Sequence, residues 1–149
     1  MTQRLSAHFT LAELTASNTA ARKGIPNIAP PEIVDTLTLT ADRMEKVRTL
    51  LGNKPIRVLS GYRSPAVNRA VGGSRSSAHM TGHAVDFICP EFGSPAKVAK
   101  YLSDHLTAYD QIIQEFGQWV HIGFGPSRRM QLLTAKKVGG RTVYEPGIR

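Results

Sequence analysis

The stretch "SSAHMTGHAVDF", residues 76–87, places two histidines, an aspartate and several hydroxyl groups together without a lysine, arginine or glutamate. Its first half is rich in small and polar residues, whereas "HAVDFI" (83–88) has the apolar, β-branched and aromatic content of a strand. His79 and His83 are four residues apart, as in the helical zinc motif H-E-x-x-H, but the glutamate is missing and Gly82 disfavours a helix. The stretch therefore predicts a loop that leads into a strand and carries side chains suited to a metal.

Side-chain alternation along the predicted strand separates the polar residues. Successive side chains of a strand point to opposite faces, so Asp86 shares a face with Ala84 while His83 shares the other face with Phe87. Asp86 can join His79, which lies in the preceding loop. His83 is predicted to point away from both.

A third ligand is expected from another segment, because a catalytic zinc typically has three protein ligands and one open position. In "WVHIGF" (119–124), Val120 and Ile122 belong to an alternating apolar face, and His121 projects from the opposite one. His8 and His105 lie in less suitable places, near the N-terminus and at a helix end. Spacing alone leaves open that His79, Asp86 and His121 have purely structural roles.

The whole chain, 149 residues with 41% hydrophobic and 20% charged residues, has the composition of an ordinary globular protein. We expect one domain over residues 1–149, because no repeat or linker divides it. The fold class predicted is α+β, a small antiparallel sheet flanked by helices with the zinc site on the sheet face, because no βαβ rhythm is present. After an irregular N-terminal segment, the pattern predicts a helix at 32–51 and a second at 95–106 with Ser94 as its N-cap. It also predicts a helical turn after Pro65, strands at 55–60, 83–88, 110–115 and 119–124, and a strand pair around Gly139–Gly140.

Charge and terminal sequence bear on partners and location. The net charge of +8 favours an anionic target, but the basic residues are scattered and no recognition-helix pattern accompanies them, so we expect no nucleic-acid partner. Cys89 is the single cysteine, which excludes an internal disulfide. No apolar run is long enough for a membrane span, and the first residues lack the apolar core of a signal peptide. We therefore expect a monomer made in the cytoplasm.

Several motifs together resemble one family. "SAHMTGHAVD" fits S-x-H-x-x-G-x-A-x-D, "WVH" follows downstream, and "SGYRSPAVNRAVGG" (60–73) and "HFTLAEL" (8–14) precede it. Over roughly residues 6–125 the chain is similar to the zinc peptidases that include D-alanyl-D-alanine carboxypeptidases, D-Ala-D-Ala dipeptidases and phage L-alanyl-D-glutamate endopeptidases. The resemblance implies a Zn²⁺ cofactor with His79, Asp86 and His121 as its ligands.

The same resemblance assigns substrate contacts. Arg63 matches an arginine that holds substrate near the zinc, where its fixed charge suits a carbonyl becoming an oxyanion. Ser77 matches the serine before the first histidine and is predicted either to bind a substrate carboxylate or to cap the loop. Tyr62 and Trp119 are candidates for the walls of the groove, with core packing as the alternative.

The general base departs from a common form of the family. Several members have Glu or Asp three residues before the last histidine, where this chain has Gln118, whose amide cannot take a proton; it is kept as a substrate-binding candidate. Glu115 is the nearest carboxylate. A three-residue hairpin loop would pair Glu115 with Trp119 and put its carboxylate on the His121 face, whereas a two-residue loop would turn it away. We expect the first arrangement, with Glu115 as base.

The function implied by the resemblance is zinc-dependent hydrolysis of an amide bond in the peptide of peptidoglycan. Combined with the basic surface and the absence of a signal, it suggests a phage or prophage endolysin that reaches the cell wall through a holin. A zinc-containing but inactive wall-binding module is the alternative, suggested by Gln118. The bond cleaved is left open among D-Ala-D-Ala, L-Ala-D-Glu and a D-Ala-diaminopimelate cross-link.

Overall fold

The computed structural model describes residues 3–149. It contains five helices, one short 3-10 turn and six strands, which follow in chain order as α1 (Leu11–Thr15), α2 (Asn18–Lys23), α3 (Pro31–Leu50), β1 (Arg57–Ser60), α4 (Pro65–Ala70), the 3-10 turn (Ala78–Thr81), β2 (Ala84–Ile88), α5 (Pro95–His105), β3 (Gln111–Glu115), β4 (Trp119–Gly123), β5 (Gln131–Val138) and β6 (Arg141–Pro146). The α+β prediction is confirmed. The predicted bounds of the two long helices and of the strands are also confirmed to within a few residues, because the apolar periodicity of these segments is strong.

The strands form one six-stranded sheet in the order β1-β2-β4-β3-β5-β6. β3 pairs antiparallel with β4, and β5 pairs antiparallel with β6 around the Gly139–Gly140 turn. β3 and β5 run parallel. The sheet is therefore mixed rather than wholly antiparallel.

The prediction of an irregular N-terminal segment is wrong, because α1 and α2 lie within it. Both helices are short and are fixed by their first residues. Thr10 and Glu13 form a capping box at the start of α1, and the Ser17 side chain accepts a hydrogen bond from the first turn of α2. Capping satisfies backbone N–H groups that a helix of one or two turns cannot satisfy internally. Helices this short show almost no apolar periodicity, so the sequence pattern does not reveal them.

The chain divides into two compact units. The first comprises the chain up to Glu45 together with Ser60–Val85. Its fully buried apolar side chains include Phe9, Leu14, Leu37 and Met44.

The second unit comprises Lys46–Leu59 and Asp86–Arg149. α5 contacts β3 and β4 there. The fully buried apolar side chains of this unit include those of Val47, Leu51, Phe87, Val98, Ala99, Leu102, Ile112, Val120 and Ile122.

The strand register of the second unit sorts its side chains onto two faces. Ile113 lies opposite His121 on β4 and opposite Leu133 on β5, and residues directly opposite one another share a face. We call this side of the sheet the His121 face. By alternation it also carries Glu115 and Trp119.

Among the described residues, no helix combines the length and the apolar character needed to cross a bilayer.

Candidate metal centre

His79 is positioned by one hydrogen bond at the start of the 3-10 turn and by a second to Gly61, 18 positions earlier in the chain. The turn begins at Ser77, whose hydroxyl oxygen accepts from the His79 backbone N–H. The ring Nδ1 of His79 lies 2.7 Å from the carbonyl oxygen of Gly61. Since a carbonyl only accepts, Nδ1 must carry the proton and donate it, which makes Nε2 the nitrogen with the lone pair. A backbone carbonyl holding the far nitrogen is a common way of orienting a metal-ligating histidine.

Two glycines make room for this arrangement. A Cβ on Gly61 would lie 2.4 Å from the Leu14 carbonyl oxygen, so no other residue fits without moving the backbone. Gly82 ends the 3-10 turn with a φ of +82°, and a Cβ there would approach the side chains of Ile33 and Leu37 at 3.3 Å. Its carbonyl accepts a hydrogen bond from the Thr40 hydroxyl at 2.6 Å. Gly82 is therefore held against α3, and Gly61 is held against Leu14 of α1.

Asp86 and His121 come from strands of the second unit. Asp86 lies in β2 and His121 in β4, and they are 5% and 9% exposed. Nδ1 of His121 is 2.9 Å from Oδ1 of Asp86. Buried carboxylate and imidazole groups at this distance stabilise each other, and the same two atom types are ordinary zinc ligands.

His79, Asp86 and His121 form a group that could hold a metal ion, since one ligand atom from each lies within 4.8 Å of the others. Two zinc ligands at tetrahedral positions are about 3.4 Å apart, given bond lengths of about 2.0–2.1 Å. The donor set of two imidazoles and one carboxylate fits zinc, and three protein ligands are typical of a catalytic rather than a structural site.

Glu115 lies on the same sheet face as His121. The hairpin loop has three residues, Phe116 to Gln118, and Glu115 pairs with Trp119. This is the three-residue arrangement expected from the sequence, and it puts the Glu115 carboxylate on the His121 face. Gln118 is exposed at the end of that loop, where its backbone N–H donates to the Glu115 carbonyl.

The remaining predicted site residues belong to this hairpin or to the first unit. Arg63 is half-buried; its guanidinium donates to Ser60 and Asn68, and its backbone N–H donates to the His79 carbonyl. Tyr62 is only 4% exposed, and burial, followed by the nearby Glu32 carboxylate, raises its pKa. Trp119 is half-buried, and its indole Nε1 is buried with no hydrogen-bond partner among the described residues.

His83 does not belong to the metal group. Its Nδ1 is 2.7 Å from the Thr81 hydroxyl, and its backbone N–H donates to Ala78. This agrees with the prediction from strand alternation that His83 points away from Asp86.

Two histidines and one aspartate could hold one metal ion and leave a coordination position for water or substrate, an arrangement typical of catalytic metal sites. The sequence matches the Peptidase M15 family over residues 7–123. The chain therefore belongs to the M15 family of zinc metallopeptidases. It is also 37% identical over 79 residues to a zinc D-Ala-D-Ala carboxypeptidase of Streptomyces albus G, a match that covers 53% of this chain and 30% of that relative.

One residue of the centre was missed by reading the sequence. The motif "SGYRSPAVNRAVGG" does not single out Gly61, although its carbonyl orients His79 and its missing side chain lets the chain pass Leu14. A glycine inside a motif, next to residues with chemical roles, indicates a close approach of two backbones. That signal was present but does not tell which backbone approaches.

Proposed function

We propose that the protein hydrolyses an amide bond in the peptide part of peptidoglycan, using zinc held by His79, Asp86 and His121. The observation that carries the proposal is the ligand group together with a carboxylate, Glu115, on the His121 face. The relative from Streptomyces albus G is by name a D-Ala-D-Ala carboxypeptidase, which supports a peptide containing D-residues as substrate.

The metal would supply Lewis acidity towards the scissile carbonyl and lower the pKa of water at the site. Glu115 then takes the proton from the attacking water and passes it to the leaving amine. It is assigned this role because it is the carboxylate of the β3–β4 hairpin that lies on the His121 face. The Gln118 amide cannot act as the base, because it does not accept a proton.

Arg63 is the proposed oxyanion partner. Its hydrogen bonds to Ser60 and Asn68 hold the guanidinium in one orientation, so little rearrangement is needed when charge develops on the substrate. The orphaned indole N–H of Trp119 supports a role in substrate binding, because a buried donor is satisfied when a substrate oxygen accepts from it.

Ser77, Tyr62 and Gln118 are weaker candidates for substrate contacts. The Ser77 hydroxyl already accepts from His79 at 3.2 Å, which favours the capping role. The burial of Tyr62 favours packing. Gln118 is exposed at the hairpin tip and is proposed to orient substrate.

We further propose that residues 1–149 act as a single monomeric catalytic domain on the bacterial wall, in the manner of a phage or prophage endolysin. The net charge of +8 supports this setting, since wall polymers are anionic.

The test is digestion of purified peptidoglycan, followed by mass spectrometry of the released muropeptides. We expect one type of amide bond to be cut with zinc present and none after chelation; the masses identify the bond. His79→Ala, Asp86→Ala and His121→Ala should each lose zinc and activity, whereas the matched His83→Ala should keep both. Binding to peptidoglycan without any cleavage would establish the inactive wall-binding module instead.

A further inference from the structure

Tyr144 lies in the same cross-strand row as Glu115, although it is 29 positions further along the chain and beyond the region that matches the M15 family. On β3 and β5, Glu115 is directly opposite Ala135. On β5 and β6, Ala135 is directly opposite Tyr144. Directly opposite residues share a face, so Tyr144 stands on the His121 face.

Ala135, the residue between Glu115 and Tyr144 in this row, has a small side chain. It is 1% exposed and carries only a methyl group between the two larger residues. Two strand spacings put the Cα atoms of Glu115 and Tyr144 about 10 Å apart. No large side chain therefore stands between Tyr144 and Glu115 along this row.

The electrostatics of the phenol agree with this placement. The pKa of Tyr144 is raised, first by partial burial and then by repulsion from the carboxylates of Glu115 and Asp86. A tyrosine hydroxyl is protonated at neutral pH already at its ordinary pKa near 10, and the raised pKa leaves it a hydrogen-bond donor. The side chain is nevertheless 54% exposed, so a molecule in solvent has access to it.

The order of the strands places Tyr144 on one side of the reacting atoms. His121 is on β4, Glu115 on β3 and Tyr144 on β6, with β5 between the last two. Tyr144 is thus farther from His121 than the base is. A substrate that has its scissile bond between His121 and Glu115 and continues across β5 would reach the phenol on β6.

We propose that Tyr144 is a substrate-positioning residue, whose hydroxyl donates a hydrogen bond to an oxygen of the peptide residue next to the scissile bond. The acceptor is a backbone carbonyl or a terminal carboxylate. This inference rests on the proposed peptidase function and adds to it a contact from the C-terminal hairpin. Since the bond forms both in the bound substrate and in the transition state, it contributes to binding rather than to the chemical step.

The experiment compares Tyr144→Phe with Tyr101→Phe, each of which removes one phenolic oxygen. Tyr101 is on α5, stacked on His105, and is the matched control. On a synthetic stem pentapeptide ending in D-Ala-D-Ala, Tyr144→Phe should raise KM by about five- to tenfold with kcat within about twofold, the scale of one neutral hydrogen bond. Bound zinc and the melting temperature should not change, and Tyr101→Phe should match the wild type.

An amidated pentapeptide identifies the acceptor. If the acceptor is the terminal carboxylate, the effect of Tyr144→Phe disappears with this substrate; if it is a backbone carbonyl, the effect persists. An unchanged KM for Tyr144→Phe with both peptides overturns the proposal.

Peptide binding separates this inference from the proposed function. Calorimetry on Glu115→Gln with and without Tyr144→Phe should show about five- to tenfold weaker binding when the hydroxyl is absent. If the wild type cuts no peptide but peptide binding still depends on Tyr144, the proposed hydrolase function is overturned and the proposed contact is retained. Equal binding by both variants overturns the contact.

Discussion

Gly61→Ala tests whether the close approach of two backbones holds His79 in its ligating orientation. The added methyl carbon would lie 2.4 Å from the Leu14 carbonyl oxygen and 2.9 Å from the Leu14 carbonyl carbon and Cα. All three atoms are backbone, so the strain cannot be relieved by a rotamer change. We expect the peptide unit of residue 61, whose oxygen accepts from His79 Nδ1 at 2.7 Å, to move.

The magnitude follows from that displacement. Inserting a methyl group into a packed site costs about 1–3 kcal/mol, which for a chain of this size lowers the melting temperature by about 2–12 °C. Loss of an outer hydrogen bond to a ligating histidine weakens metal affinity by about 10- to 100-fold. Zinc affinity is measured by competition with a chromogenic chelator, and stability by thermal unfolding of the metal-free protein.

Gly72→Ala is the matched control. Gly72 has a φ of +73° with nothing within 4 Å of the added Cβ, so alanine there introduces backbone strain without crowding. It should lose some stability and keep its zinc affinity. Normal zinc affinity in Gly61→Ala would refute the argument that the Gly61 carbonyl orients His79.

Three further predictions concern the proposed base, the proposed oxyanion partner and an ion pair of the second unit. Glu115→Gln should lower kcat by at least about 10²-fold with zinc retained, while Gln118→Ala has a much smaller effect; near-normal cleavage by Glu115→Gln would require another base. Arg63→Lys keeps the charge but loses the planar fork, so turnover should fall at unchanged zinc content, and wild-type rates would assign Arg63 to the surface. Asp110 accepts two hydrogen bonds from the Arg129 guanidinium, at 2.8 and 2.9 Å, and these hold its pKa below the usual value near 3.8. Because its folded-state pKa is depressed, Asp110 stabilises the fold above pH ~4 and loses this contribution as the pH falls further. Since Arg129 is half exposed, Asp110→Asn should cost about 1–2 kcal/mol in urea unfolding at pH 7 and progressively less below pH ~4, and a pH-independent difference would contradict the ion pair.

The sequence by itself determined the features that depend on short-range pattern. Apolar periodicity predicted the long helices and the strands of the hairpins. Alternation along β2 separated Asp86 from His83, and alternation along β4 turned His121 away from the core. These results hold because side-chain direction in a strand follows from parity alone.

The position of the proposed base, Glu115, required one further piece of local information. Whether Glu115 faces His121 depends on the hairpin loop length, and the sequence "FGQ" allowed two or three residues. The observed pairing of Glu115 with Trp119 decided between them. Local propensity favoured neither loop strongly enough, because the register also depends on how both strands pack.

Only the tertiary structure decided the contacts between segments distant in the chain. The parallel pairing of β3 with β5 brings Tyr144 into the row of Glu115, and the approach of Gly61 to Leu14 sets the carbonyl that orients His79. The sequence does not identify the partner in such contacts, because a parallel pair has no connecting turn and a backbone carbonyl acceptor is the same for every residue type. They arise from burying apolar residues of the whole chain at once, which a periodic pattern in one segment cannot encode.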